Sequence, residues 1–409
     1  MSKFLKIFVA LAAIAAFATP AFAIEADFGG FLQVRGLMLD NMDGNDDNDD
    51  QQRGIDQRFR LYSTFALNEN VKAVFKTEID SVWGKRDLDP DAGKEVGSLG
   101  ADAKGEIEVK NIYLDFNLPT LETNVKAGTQ YFYLGRGFIN GDDATGLQVR
   151  YTPVRGQSLA FFWIKATEGD FASSNDESDY YQVQYDLTSG DWHIAPYLGY
   201  AYDPGTAGND STATFLGLDI DGKLGPLGLA ATAIVNDWED EESNTDGNGL
   251  VLWAKGTYQM GATGLSLEAA YYGDEDAGGN FVNVNTYNNF SEIITGGQFD
   301  GRGGIGQNQT VTASSLGAPY EENYMYVKLG AVQKYGKSKV SLYLIHAEQA
   351  EDEGANKAIT YGQEVDGYYD YEVVQGLTFT LAGAYLLADD DFGAGDDAWK
   401  LGTALTYQF

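Results

Sequence analysis

From Gln57 onward, apolar and polar positions alternate with a period of two. Phe59, Leu61, Ser63, Phe65 and Leu67 fall on one face, and Arg58, Arg60, Tyr62, Thr64 and Ala66 on the other. The pattern returns at Leu147, Val149 and Tyr151 against Gln148, Arg150 and Thr152. It recurs at Leu250, Leu252 and Ala254 against Val251, Trp253 and Lys255, and near the end at Leu377, Phe379 and Leu381 against Thr378, Thr380 and Ala382. Such alternation predicts strands with one apolar and one more polar face. Eighteen segments fit, starting near Ala26, Gly54, Val71, Glu106, Thr123, Thr145, Gln157, Asp179, Asp191, Ser211, Pro226, Gly249, Thr263, Glu321, Lys337, Tyr361, Gly376 and Ala398.

The connections alternate between short and long. Short ones fall at 68–70, Pro119, 155–156, 189–190, 223–225, 261–262, Gly336 and 375–376. Long ones span 41–53, 84–104, 135–144, 168–178, 203–210, 239–248, 274–320, 348–360 and 389–397. Sorting by parity predicts an up-and-down membrane barrel, with tight turns on one rim and external loops on the other. The fold expected is therefore all-β: a transmembrane antiparallel barrel of about eighteen strands, with sixteen as the smaller alternative.

Charge follows the same division. The nine long loops hold 37 acidic and 8 basic residues, a balance of −29. The polar strand faces carry Arg35, Arg58, Arg60, Lys76, Glu78, Asp80, Lys126, Arg150, Glu364, Asp366 and Asp370, too many charges for a packed core. These residues are expected to line a wet lumen, with Leu, Val, Phe and Tyr turned to lipid. A barrel of this size is too wide for side chains to fill. Trp83, Tyr131, Tyr133, Tyr200, Tyr202, Trp238, Tyr271 and Tyr272, near strand ends, suit an interfacial aromatic girdle.

Residues 1–23 read as a secretory signal peptide. Lys3 and Lys6 precede an apolar stretch over 7–17, and Ala21-Phe22-Ala23 is a small-x-small cleavage site. The stretch is shorter than the ~20 residues a spanning helix needs. Residues 24–409 then form the single barrel domain. The formal charge of −34, which becomes −36 without the leader, excludes a chain that grips nucleic acid by neutralising phosphates. The absence of Cys excludes disulfides, thiolate nucleophiles and Cys-ligated metals, and no cofactor is expected. Of the two His residues, His346 lies near Glu348, but no Ser or Asp partner can be assigned, so an enzyme is not expected.

At the C-terminus, Leu405, Tyr407 and Phe409 alternate on the apolar face, and the chain stops on Phe. This ending resembles the terminal strand of Gram-negative outer-membrane porins. In that family the last Phe helps the barrel-assembly machinery recognise its substrate, a role the resemblance gives to Tyr407 and Phe409. The stretch 125–151, with Ala127-Gly128-Thr129-Gln130 and Asp142-Asp143-Ala144-Thr145-Gly146, resembles the strand–loop–strand around the third external loop of porins. There the loop folds inward and narrows the pore, which makes Arg136, Asp142 and Asp143 candidate constriction residues. The 47-residue loop 274–320 is a second candidate to fold into the mouth, or it reaches a neighbouring subunit. The resemblance also implies a homotrimer in the outer membrane, touching lipid and lipopolysaccharide.

A register count sharpens the inner wall. If Leu67 pairs with Val71, Arg60 faces Glu78 and Arg58 faces Asp80. These pairs either form a basic wall that makes a transverse field with Asp142 and Asp143, or a self-satisfied ladder that stiffens the barrel. Glu364, Asp366, Asp370 and Glu372 form an inner stripe that either attracts cations or is simply solvated. Asp87, Asp89 and Asp91 have the start of a calcium-loop spacing, but Ala92 and Ser98 break it. Gly301, Gly303 and Gly306, and Gly330 to Ser338, imitate nucleotide loops without the required strand–helix context. The function expected is passive diffusion of small hydrophilic solutes and ions with mild cation preference. The rivals are a substrate-selective channel for anions, sugars or an exported polymer, and a surface adhesin or receptor.

Overall fold

The structure, a computed structural model, describes residues 24–42, 44–48, 51–84, 107–167, 177–204, 210–241, 244–273, 281, 284, 289–295, 324–350 and 358–409. The expected leader, the Asp87–Asp89–Asp91 spacing and the 301–306 glycines lie outside them.

Eighteen strands account for nearly all of this. The first six are β1 (Glu25–Asp40), β2 (Gln52–Asn68), β3 (Val71–Val82), β4 (Ile107–Leu118), β5 (Thr123–Leu134) and β6 (Asn140–Val154). Next come β7 (Gln157–Thr167), β8 (Ser178–Ser189), β9 (Trp192–Asp203), β10 (Ser211–Leu224), β11 (Leu227–Asp240) and β12 (Thr245–Met260). The last are β13 (Thr263–Gly273), β14 (Tyr324–Tyr335), β15 (Ser338–Glu348), β16 (Thr360–Val374), β17 (Leu377–Ala388) and β18 (Ala398–Gln408). Each pairs antiparallel with its sequence neighbours, and β1 also pairs with β18, Phe31 opposite Gln408. The sheet is closed, so no strand edge is left unpaired.

Short and long connections alternate as the sequence predicts. On the short-turn rim, Gly190 and Gly225 take φ of +60° and +61°, a conformation that costs residues with a Cβ and lets the hairpin reverse tightly. Gly336 turns the β14–β15 hairpin, so the phosphate-loop lookalike is a hairpin. The chain closes on this rim too. The Gly30 N–H donates to the Phe409 carbonyl (3.0 Å) and the Phe409 N–H to the Gly30 carbonyl (3.2 Å). The Phe409 ring stacks on Phe59 and Tyr407.

Burial shows which face is which. Along β7, Leu159, Phe161 and Trp163 are exposed while Ser158, Ala160, Phe162 and Ile164 are buried. An outer band of exposed Leu, Val, Ile and Tyr runs round the barrel, as lipid contact requires. The β2–β3 register places Arg58 opposite Asp80 and Arg60 opposite Glu78, as counted. Leu67 is skipped by a bulge and Asn68, not Leu67, meets Val71.

Three expectations need correction. Asp142 and Asp143 are not on a loop, because β6 starts at Asn140 and includes them. Trp238 and Tyr272 do not join a lipid-facing girdle. Each is inward by strand parity and buried, Trp238 at 5% and Tyr272 at 0% exposure. Nor is the whole interior wet. Phe162, Tyr180, Tyr197 and Phe215, on the inner faces of β7–β10, join an apolar cluster with Phe138, Ile139, Phe281, Phe290, Ile293 and Ile294 from the β5–β6 and β13–β14 connections.

Candidate permeation pathway

The wall of β1–β3 is built by cross-strand register. Arg35 holds Asp56 in a two-point contact, Nε to Oδ1 at 3.0 Å and Nη2 to Oδ2 at 2.7 Å. Arg58 holds Asp80 the same way (2.9 and 2.6 Å) and reaches Glu78 Oε1 at 3.1 Å. Arg60 donates to Glu78. Parallel fork contacts of this kind fix geometry as well as charge. The ladder is thus self-paired, and it holds three guanidinium groups in a column facing inward. Lys76 and Lys126 have no ion pair among the described residues, and the Lys76 ammonium lies 5.4 Å from the Tyr62 ring centre.

Asp143 belongs to the same side of the barrel. It takes Lys110 at 3.1 Å and the Asn111 amide at 2.7 Å, both on β4. Its field therefore starts at the wall near the ladder and not from a loop across the lumen. Arg136 does cross. It lies in a short turn at Gly135–Gly137 with φ of +55°, donates from Nε to Thr232 Oγ1 (2.7 Å) and pairs with Asp221 (3.0 Å). Its guanidinium sits 4.8 Å from the Trp253 ring centre. The connection is five residues long, yet it ties β5–β6 to β10–β11 through the barrel interior.

Between them runs a continuous polar chain. Arg150 pairs with Asp186 (2.5 Å), and Asp186 also accepts from Ser158 and Gln184. Gln184 accepts from Gln182, which accepts from the Tyr180 hydroxyl. Residues two apart share a strand face, so β8 presents Tyr180, Gln182, Gln184 and Asp186 as one inward column. His193 Nε2 lies 3.1 Å from Asp186 Oδ1, and its Nδ1 lies 3.8 Å from Asp221.

On β16, Asp370 pairs with Lys339 (2.7 Å) and faces the short-turn half. Glu364 and Asp366 are covered, at 0% and 1% exposure, which corrects the solvated-stripe alternative for this pair. The cover is 289–295, from the long loop. The backbone N–H groups of Glu292, Ile293 and Ile294 donate to the Glu364 carboxylate at 2.8, 2.7 and 3.1 Å. Lys400 grips Glu292 Oε2 (3.0 Å), and Tyr368 donates to the same side chain. Phe290 stacks on Tyr326, ring centres 3.9 Å apart, and on Tyr324. Val284 donates its N–H to the Ile139 carbonyl (2.8 Å), joining the two inward segments. The sequence allowed the 274–320 loop to fold into the mouth, and 289–295 does turn inward, but these contacts with β16 were not foreseen, although the apolar residues Phe290, Ile293 and Ile294 inside a polar loop were their signal. His346 Nδ1 lies 3.1 Å from the Gly362 carbonyl and its Nε2 4.0 Å from Glu348.

No protein-family model and no curated protein matches the chain. Solved structures do. OccK8 (OprE) of Pseudomonas aeruginosa superposes with a TM-score of 0.59 at 13% identity, covering 94% of this chain and 98% of that one. OpdL of the same organism gives 0.57 at 12% identity, with 94% and 99% covered. The outer membrane protein OpdK gives 0.56 at 12%, with the same coverage, and a structure of OpdK with vanillate gives 0.55 at 11%. At these identities the likeness is one of fold. The closed antiparallel eighteen-strand barrel matches those structures along nearly its full length.

Proposed function

We propose that this chain forms an outer-membrane channel through which small hydrophilic solutes and ions diffuse, with mild cation preference. The observation that carries the reading is the inverted barrel. An apolar band faces outward over eighteen strands, and ion-paired charges face inward from β1–β4, β6, β8, β10, β12, β13, β15 and β16. Such a wall would serve no packed core. Arg35, Arg58, Arg60, Lys76, Glu78, Asp80, Lys126, Arg150 and Asp370 are the residues we assign to the lining, with Arg136 at the narrowing. Because the ladder arginines are matched by Asp56, Asp80 and Glu78, the wall is near neutral and the acidic mouth decides the sign. The outer-membrane address, the export leader, the terminal assembly signal and a trimer belong to the same reading.

A substrate-selective channel is the second reading, favoured by the two inward segments that fill one sector. OpdK has been solved with a small aromatic carboxylate. A column of guanidinium groups beside Lys76 and Lys126, which have no ion pair among the described residues, would suit a carboxylate guest here. Single-channel recording of the purified protein in planar bilayers under a salt gradient tests both. Ohmic conductance without block by carboxylates supports diffusion, and saturable block supports selectivity. Absence of conductance would remove both and favour a receptor. Sedimentation of the unheated, detergent-solubilised protein reads the subunit number.

A further inference from the structure

The buried centre beside β16 contains Glu292, Glu364, Asp366, Lys328 and Lys400, each under one-tenth exposed. Four of the five have defined partners. Glu364 accepts three backbone N–H groups, and Glu292 accepts from Lys400 and Tyr368. Lys328 donates to the Phe290 carbonyl (2.5 Å) and lies 4.5 Å from the Tyr343 ring centre.

Asp366 is the exception. Both its oxygens are buried, and neither meets an N–H or hydroxyl donor among the described residues; the side chain within hydrogen-bonding reach is the Glu364 carboxyl, an acceptor like itself. Glu364 and Glu292 act on it as like charges and Lys328 as the opposite one. Positions two apart on β16 put Glu364 and Asp366 on the same inward face. With Glu292 matched by Lys400, two carboxylates share the single ammonium of Lys328. The described residues thus leave one negative charge unmatched where water is excluded. An isolated buried carboxylate is strongly unfavourable unless a counter-charge or a proton meets it.

We propose that Asp366 and Glu364 bind one small monovalent cation, an alkali-metal ion, between the β16 wall and the inward segment 289–295. One unit charge neutralises the site, whereas a divalent ion would leave it positive. Among the described residues no three carboxylate or imidazole groups converge closely enough to hold a metal, which also disfavours a tight divalent site. An alkali ion accepts carboxylate and carbonyl oxygens without demanding a strict geometry. Seated there, it fastens the segment whose backbone already ends on Glu364. The inference does not depend on which solute the channel passes.

Rubidium is the probe. Crystals of the full barrel grown in rubidium chloride should show an anomalous peak beside Asp366 and Glu364, and crystals of Asp366→Asn should not. In detergent, the unfolding midpoint of the unaltered protein should rise with the logarithm of rubidium concentration above that in N-methylglucamine chloride of equal ionic strength, as expected for a ligand bound only by the folded state. Asp366→Asn should lose that cation-specific increment. No peak in the unaltered protein, or a peak that persists in Asp366→Asn, overturns the proposal. So does a midpoint that responds to pH but not to the cation, because a proton then supplies the missing charge. Should Asp366→Asn fail to fold, the two measurements on the unaltered protein still decide.

Discussion

Arg35 shows what one inward residue does for the wall. Its guanidinium is 2% exposed and holds Asp56 at two points. Arg35→Met should take this two-point contact from the buried Asp56 and lower stability, by at most about 3–5 kcal/mol, the usual cost of removing one partner of a buried pair. Denaturant unfolding of the detergent-solubilised barrel measures it, and a loss under about 1 kcal/mol, the range of an exposed pair, would show that this pair does not hold the wall. Arg58 and Arg60 differ, being less buried and set side by side on two carboxylates. Replacing both with Ser should release Asp80 and Glu78 to the lumen and strengthen cation preference, read as a reversal potential closer to the cation limit. The pairings themselves could be counted from sequence, because antiparallel register is arithmetic once a turn is placed. Trp238 and Tyr272 could not be assigned by their nearness to a strand end. Parity settles them, since Tyr271 and Tyr272 are adjacent and cannot both face lipid.

Among the elements, strand starts after tight turns were legible to within a residue, and some after long loops were legible too. Val71, Thr123, Gln157, Ser211, Thr263 and Ala398 begin strands at the positions read from alternation. The largest slip is β6, which begins at Asn140 and not Thr145. Polar Asp142 and Asp143 look like loop residues, but an inward strand position next to Lys110 and Asn111 accommodates charge. The partners of the inward segment 289–295 stayed hidden for a different reason, although the loop that carries it was a candidate to fold inward. Its contacts join residues about seventy positions apart, as between Glu292 and Glu364, and no local period encodes them. Arg136→Ala tests the shorter of the two inward segments. Losing the contacts to Asp221 and Thr232 should free the turn, and single-channel conductance should rise with more open-state noise. At the other end of the chain, deleting Phe409 removes a ring stacked on Phe59 and a backbone pairing with Gly30. The fraction of heat-modifiable barrel recovered from outer membranes should fall, and an unchanged fraction would remove Phe409 from the assembly signal.

At the scale of the whole molecule, selectivity sets the mouth against the wall. The structure moves Asp142, Asp143 and Glu292 from the rim to the interior, where Lys110 and Lys400 meet Asp143 and Glu292. The rim stays acidic, with Asp46, Asp47, Asp389, Asp390, Asp391, Asp396 and Asp397 clustered where the β1–β2 and β17–β18 connections meet. There the Asp46 N–H donates to Asp396 Oδ2 (3.0 Å), and the Asp396 charge beside it raises the Asp46 carboxyl above its ordinary value. Such a rim concentrates cations at the entrance, over a reach of roughly 10 Å at 0.1 M salt. Reversal potentials should therefore show mild cation preference at low salt and neutral pH, fading as salt rises. Acid should weaken it as well. A raised carboxyl takes up its proton earlier as pH falls, so the rim begins to lose negative charge above the ordinary carboxylate range. Asp46→Asn should flatten the first part of that pH response and leave the salt response of the remaining rim in place. Clear anion preference in the unaltered channel at low salt would instead make Lys76, Lys126 and the arginine column the governing charges.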